Sequence, residues 1–234
     1  MIGPVRHSPS TVVVLAGRPS EPVLAAVGRS LNVVLVRPED PPPRAGGAAG
    51  SRAAGLEGTA GVEAAAGLLR RAAGISAPYV LVAADPLSAV ADAWQAMWRV
   101  TAAPRGSDEF ELRAAEALAA WRAKRFELPD YYLVLTEESR PGGDGSPAAP
   151  GASGTADRGA GFYLGPLRSV RPSRVSVAAG SSAADQADAL LSELGSLRHG
   201  PWWPPLDDIL AAARGFYPGA LAESPAAGQA SLLS

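Results

Sequence analysis

The amino-acid sequence predicts an α/β protein. Its expected form is a three-layer mixed sheet of about six strands, parallel in its N-terminal part, with an antiparallel C-terminal meander and helices on both faces. Three observations carry this reading. Short apolar runs rich in β-branched residues recur at Thr11–Ala16, Asn32–Val36, Tyr79–Ala83 and Tyr131–Leu135, the pattern of strands covered on both faces. Helical patterns fill the intervals between these four, and strand–helix–strand units make parallel, right-handed connections. No helical pattern separates the fourth run from two more, Phe162–Leu167 and Arg174–Ala178, so those are expected to pair antiparallel.

The elements follow in order. The first strand ends at Gly17, and Ser20 before Glu21-Pro22 suits a helix N-cap followed by a short helix through Val23–Val27. Pro38 ends the second strand, and the Pro-, Gly- and Ala-rich stretch that follows offers too little apolar surface to offset the entropy of ordering it. A helix is expected over Val62–Ala73, then the third strand, then Asp85-Pro86 and a helix with Leu87, Val90, Ala91, Trp94, Met97 and Trp98 on one face. A further helix over Asp108–Arg125 has Ser107 as its expected cap and Phe110, Ala114, Ala117, Leu118 and Trp121 on its apolar side. Pro166 places the fifth strand at an edge or on a bulge. Ser182, with Asp185 three residues on, opens a helix over Ala183–Leu197. Pro204-Pro205 precede the last helix, with Leu206, Ile209, Leu210, Ala213, Phe216 and Tyr217 in phase. The expected organisation is one α/β domain over residues 1–217, flexible inserts at about 38–60 and 138–161, and a disordered tail over 218–234.

Composition narrows the function classes. The 234-residue chain has no cysteine, two histidines (His7 and His199) and a single lysine, Lys124. Disulfides, thiol nucleophiles and thiolate metal sites are therefore out of reach, and two histidines cannot build a three-histidine zinc site. We expect no metal and no cofactor. A net charge of −2 with both signs scattered is not the basic balance of a protein that grips phosphate backbones. No run approaches the roughly 20 apolar residues that span a bilayer, and the N-terminus lacks the apolar stretch of a signal peptide. The expectation is a cytoplasmic protein that binds neither nucleic acid nor membrane.

Four features are candidate sites. Arg18 and Ser20 stand where the first strand hands over to a helix, a place that favours anions in open α/β sheets. The segment GRPSEPV lacks the later glycines of a dinucleotide fingerprint and the Gly-Lys-Ser/Thr of a P-loop, so a plain capped turn is the competing reading. Asp85, with Ser88 and Asp92 further along, can serve as base, nucleophile or magnesium ligand at a strand end, or simply cap the next helix. Arg168, Arg171 and Arg174 can meet phosphates or an acidic partner, or guard an edge strand against sheet-to-sheet pairing. His199 can titrate near neutrality. The neighbouring Pro201-Trp202-Trp203-Pro204-Pro205 stiffens two large rings that either plug one end of the sheet or form a partner patch.

No complete catalytic constellation emerges. There is no Gly-x-Ser-x-Gly around a serine. The reading is a non-catalytic accessory or interaction protein with a protein partner, Trp202, Trp203, Arg168 and Arg171 being the partner residues. The alternative is an enzyme or small-ligand binder that recognises an anionic or phosphorylated metabolite through Arg18, Ser20, Asp85, Ser88 and His199.

Overall fold

The computed structural model describes residues 10–17, 19–38, 58–98, 105–137, 160–197 and 199–216. Arg18, Tyr217, most of both expected inserts and the tail lie outside these. Five strands form one sheet: β1 (Thr11–Ala16), β2 (Val33–Val36), β3 (Tyr79–Val82), β4 (Tyr131–Glu137) and β5 (Val175–Gly180), in the order β2-β3-β1-β4-β5. Every pairing is parallel. Val14 sits level with Val82 of β3 and Tyr132 of β4, while Val33 pairs with Tyr79 at one edge and Tyr132 with Val175 near the other.

Alternation along the strands divides the core into two layers. Val12, Val14, Val80, Val82, Tyr132 and Val134 face one side; Val13, Leu15, Leu81, Leu133 and Leu135 face the other. On the first side lie α2 (Gly58–Ala73), α3 (Ser88–Met97), α4 (Arg105–Arg122) and the last helix, α7 (Leu206–Gly215). The second side is covered by α1 (Glu21–Val27) through Val23, Leu24 and Val27, and by α6 (Ala183–Gly195) through Ala187, Leu190 and Leu194. The three-layer α/β arrangement and the first four strands agree with the sequence reading.

The six-strand count and the antiparallel meander do not. Phe162–Leu167, expected as a strand, is helical. Residues 160–170 form one helical run, α5, with α-turns at Ala160–Phe162 and Arg168–Val170 around a π-turn at Tyr163–Leu167 that contains Pro166. The wider turn accommodates a proline that has no N–H to give to the carbonyl four residues back. In this form Phe162, Tyr163 and Leu167 are all buried on the first layer. An alternating strand would have sent Tyr163 to the face opposite Phe162. Because α5 crosses between β4 and β5, the crossover makes that pair parallel.

Smaller departures concern helix ends. Helix α4 begins at Arg105, so Ser107 lies inside it rather than capping it. At α6, Ser182 does cap: its Oγ accepts the Asp185 N–H at 3.1 Å. Asp185 Oδ2 turns to Ser181 instead. Helix α4 closes with Arg125 N–H donating to Ala120 O and Lys124 N–H to Trp121 O, with Lys124 at φ 54°. That is a Schellman closure whose left-handed position is held by lysine instead of glycine.

Candidate functional site

The connection leaving β1 runs through α1 on the second layer, while those leaving β3 and β4 run on the first. The carboxyl ends of β1 and β4 are therefore where the chain diverges, the place at which open α/β sheets leave a crevice. Gly17 ends β1 at φ +91°, a region that penalises side chains, and a Cβ there would lie 3.3 Å from Leu135 O of β4. Arg18 lies outside the described residues. Ser20 is exposed and occupies the cap position of α1, but its side chain makes no capping hydrogen bond. Ser88 is half-buried at the first position of α3.

Asp85 is different. It follows β3 by three residues and is 7 % exposed. Its Oδ1 accepts the Leu87 N–H at 3.0 Å and the Tyr132 hydroxyl at 3.1 Å, and its Oδ2 accepts the Tyr163 hydroxyl at 2.5 Å. The two phenols come from β4 and from the π-turn of α5, and their rings pack 5.4 Å apart. Burial pushes the Asp85 carboxyl up to about 6, against the opposing pull of the Tyr163, Leu87 and Tyr132 hydrogen bonds. Both tyrosines are pushed well above their ordinary range, by burial first and then by the Asp85 charge. Asp85 does not take the cap position of α3 that the sequence suggested. Its carboxylate receives the amide two residues on, as an aspartate turn does, while the cap position of α3 belongs to Leu87, with no side-chain bond.

At the opposite, amino edge of the sheet a second cluster forms around the tryptophans. Trp203 is 6 % exposed; its Nε1–H donates to Pro129 O at 2.7 Å and its ring meets Tyr132 edge-on at 5.7 Å. Trp202 is 39 % exposed. Arg174 lies between the Trp202 and Tyr131 rings, 4.9 and 5.0 Å from their centroids. Its guanidinium donates to the carbonyls of Pro201, Gly200 and Asp130, and Arg171 Nε donates to Trp202 O at 2.7 Å. Asp130 in turn accepts the Val12 N–H on Oδ2 at 2.7 Å. The arginines expected to rim an edge hairpin thus sit on a helical crossover. Two of them pin the Pro-Trp segment, and Arg168 stays exposed one turn before Arg171.

The sequence-derived residues therefore separate. Ser20, Ser88 and Asp85 lie at the carboxyl side of the strands; His199 is exposed and adjoins Gly200, beside Arg174 at the amino side. The two tryptophans have opposite roles, one buried and one presented. Sequence reasoning passed over Tyr131, Tyr132 and Tyr163. One signal was available, since tyrosine in a buried strand needs a partner for its hydroxyl and Asp85 was the acid next to a strand end. Among the described residues no three His, Cys, Asp or Glu side chains gather to hold a metal ion, and no helix is long and apolar enough to cross a membrane.

Among the described residues, fold and clusters together define an open, all-parallel five-stranded α/β arrangement with a buried Asp–Tyr–Tyr group and a clamped tryptophan at the sheet's amino edge. No family model matches the chain, no curated protein matches it, and no solved structure matches it.

Proposed function

We propose that the protein is a non-catalytic cytoplasmic interaction module whose partner surface is the amino edge of the sheet around Trp202, Arg168, Arg171 and His199. The observation that carries this is Trp202, a large ring left 39 % exposed with the Arg174 guanidinium over its face and its backbone carbonyl held by Arg171. Ordering a side chain at an interface costs roughly 0.5–1.5 kcal/mol at the moment of binding. Here the framework has already met that cost. Exposed tryptophan beside arginine is the composition of interface hot spots. The partner it fits offers an apolar side chain to the Trp202 ring and a carboxylate to Arg168. The non-catalytic part rests on Asp85, whose carboxylate is occupied by three internal donors and turned away from solvent.

The test is quantitative capture with the full-length chain in its native cells, comparing wild type with Trp202→Ala, Arg168→Glu and the control Ser20→Ala. We expect a protein retained by wild type and the control and depleted at least ~10-fold by either of the other two, since loss of a hot spot is worth about 2 kcal/mol or more. Identical capture profiles for all four refute the proposal. A second reading, an anionic small ligand at the divergence of β1 and β4, is favoured by the Gly17 turn alone. It predicts that a nucleotide or sugar phosphate at ~100 times its Kd stabilises the chain by ~2.7 kcal/mol.

A further inference from the structure

Arg37, Arg113, Arg122, Arg125 and Arg214 each pair with a carboxylate. Arg168, Arg171 and Arg174 do not: among the described residues no carboxylate lies within ion-pair distance of any of them. The hydrogen bonds they make go to neutral backbone carbonyls, which orient a guanidinium without cancelling its charge. Of the five N–H groups a guanidinium carries, Arg174 spends three, on Pro201, Gly200 and Asp130, and Arg171 spends two, on Trp202 and Val170. Exposed Arg168 has no acceptor among the described residues. Asp130, whose carbonyl Arg174 holds, turns its carboxylate to the Val12 N–H. A chain of net charge −2 thus concentrates positive charge beside the exposed Trp202 ring, with two of the three guanidiniums already held in place.

We infer that the occupant of this surface is an acidic peptide segment: an apolar or aromatic side chain laid on Trp202, flanked within one or two residues by aspartate or glutamate. The inference rests on the reading of this edge as a partner surface and adds the partner's chemistry. Carboxylates suit it because their two oxygens match the fork of a guanidinium. Spacing suits it too. Arg174 lies 4.9 Å from the centroid of the Trp202 ring, and side chains on one face of an extended peptide repeat at about 6.5–7 Å. The neighbours of a residue seated on the ring therefore come to the guanidiniums. Exposed ion pairs contribute little singly, but Arg171 and Arg174 are ordered by their carbonyl bonds before any partner arrives. Single-stranded nucleic acid fits less well. It needs an open aromatic face for stacking, whereas Arg174 covers one face of Trp202, and the chain as a whole is negative.

A random dodecapeptide display library selected on the full-length chain tests this. Aspartate and glutamate should be at least ~2-fold more frequent in retained peptides than in the unselected library, next to an apolar or aromatic residue. In the peptide retained most strongly, replacing the acids by their amides should weaken binding roughly 10-fold, read by fluorescence anisotropy. Raising the salt from about 50 to about 300 mM should weaken it several-fold. Arg168→Glu, which has no protein hydrogen bond to lose, should abolish the acid preference, and Trp202→Ala should abolish retention. Retained peptides that depend on Trp202 but show no excess of acid overturn the inference and leave the partner surface standing. No retention, or retention indifferent to Trp202→Ala, overturns it as well, and the cellular capture comparison then decides whether the partner surface falls too. Trp202-dependent binding of a labelled oligothymidylate, tighter than that of the best peptide, overturns it in favour of nucleic acid.

Discussion

Replacing Trp203 and Trp202 separately by alanine measures how the Pro-Trp segment divides its work. Burying a tryptophan removes roughly 150–250 Å² from water, and at about 25 cal/mol per Å² this contributes roughly 4–6 kcal/mol. Trp203 is 6 % exposed, so nearly all of that applies. Its removal also strips Pro129 O of the indole donor and leaves a space beside the Tyr132 ring. Measured tryptophan-to-alanine costs in cores, about 3–5 kcal/mol, agree in scale. Trp202 stands differently. Its largest specific contact is the Arg174 guanidinium, worth about 0.5–1 kcal/mol near a surface, and Arg171 bonds its backbone carbonyl, which alanine retains. We expect about 4 kcal/mol for Trp203→Ala and about 1 kcal/mol for Trp202→Ala. At about 2–4 °C per kcal/mol for a chain of this size, the melting midpoints fall by roughly 8–16 °C and 2–4 °C. Differential scanning calorimetry or a urea titration distinguishes these. Equal losses, or a larger loss for Trp202→Ala, would refute the division into a buried plug and a presented ring.

Three further outcomes follow from backbone geometry. Lys124→Gly should raise stability by about 1 kcal/mol in urea titrations, because lysine at φ 54° pays for a left-handed position that glycine adopts freely; a loss would mean that the Lys124 side chain contributes more than its backbone costs. Gly180→Ala should destabilise by about 2 kcal/mol, since a Cβ at the end of β5 would lie 2.5 Å from the Gln186 amide nitrogen in the first turn of α6. Gly67→Ala, in α2 with nothing within 4 Å of its Cβ, should instead gain about 0.5–1 kcal/mol. If the two glycine variants moved together, the close approach at Gly180 would not be what sets its cost.

What the sequence determined by itself was local and periodic. The four apolar runs became β1 to β4 because uninterrupted β-branched and apolar residues suit a sheet covered on both faces. The last two helices lie where their spaced leucines predicted, because an apolar stripe must face a core whatever that core is. The singular Asp85 and the Pro-Trp segment were visible as unusual chemistry. Tertiary structure decided the rest. Phe162–Leu167 is a short apolar run whose length and composition suit strand and helix alike. Helix prevailed because it brings Phe162, Tyr163 and Leu167 to one layer together, and a crossover made of helix turned the expected meander parallel. Whether the candidate polar residues share a site was equally unreadable. Asp85 meets Tyr132 and Tyr163 across separations of 47 and 78 residues, while His199 goes to the other edge of the sheet. Such meetings depend on strand order and on which face each crossover takes, and neither is encoded in the period of any single segment.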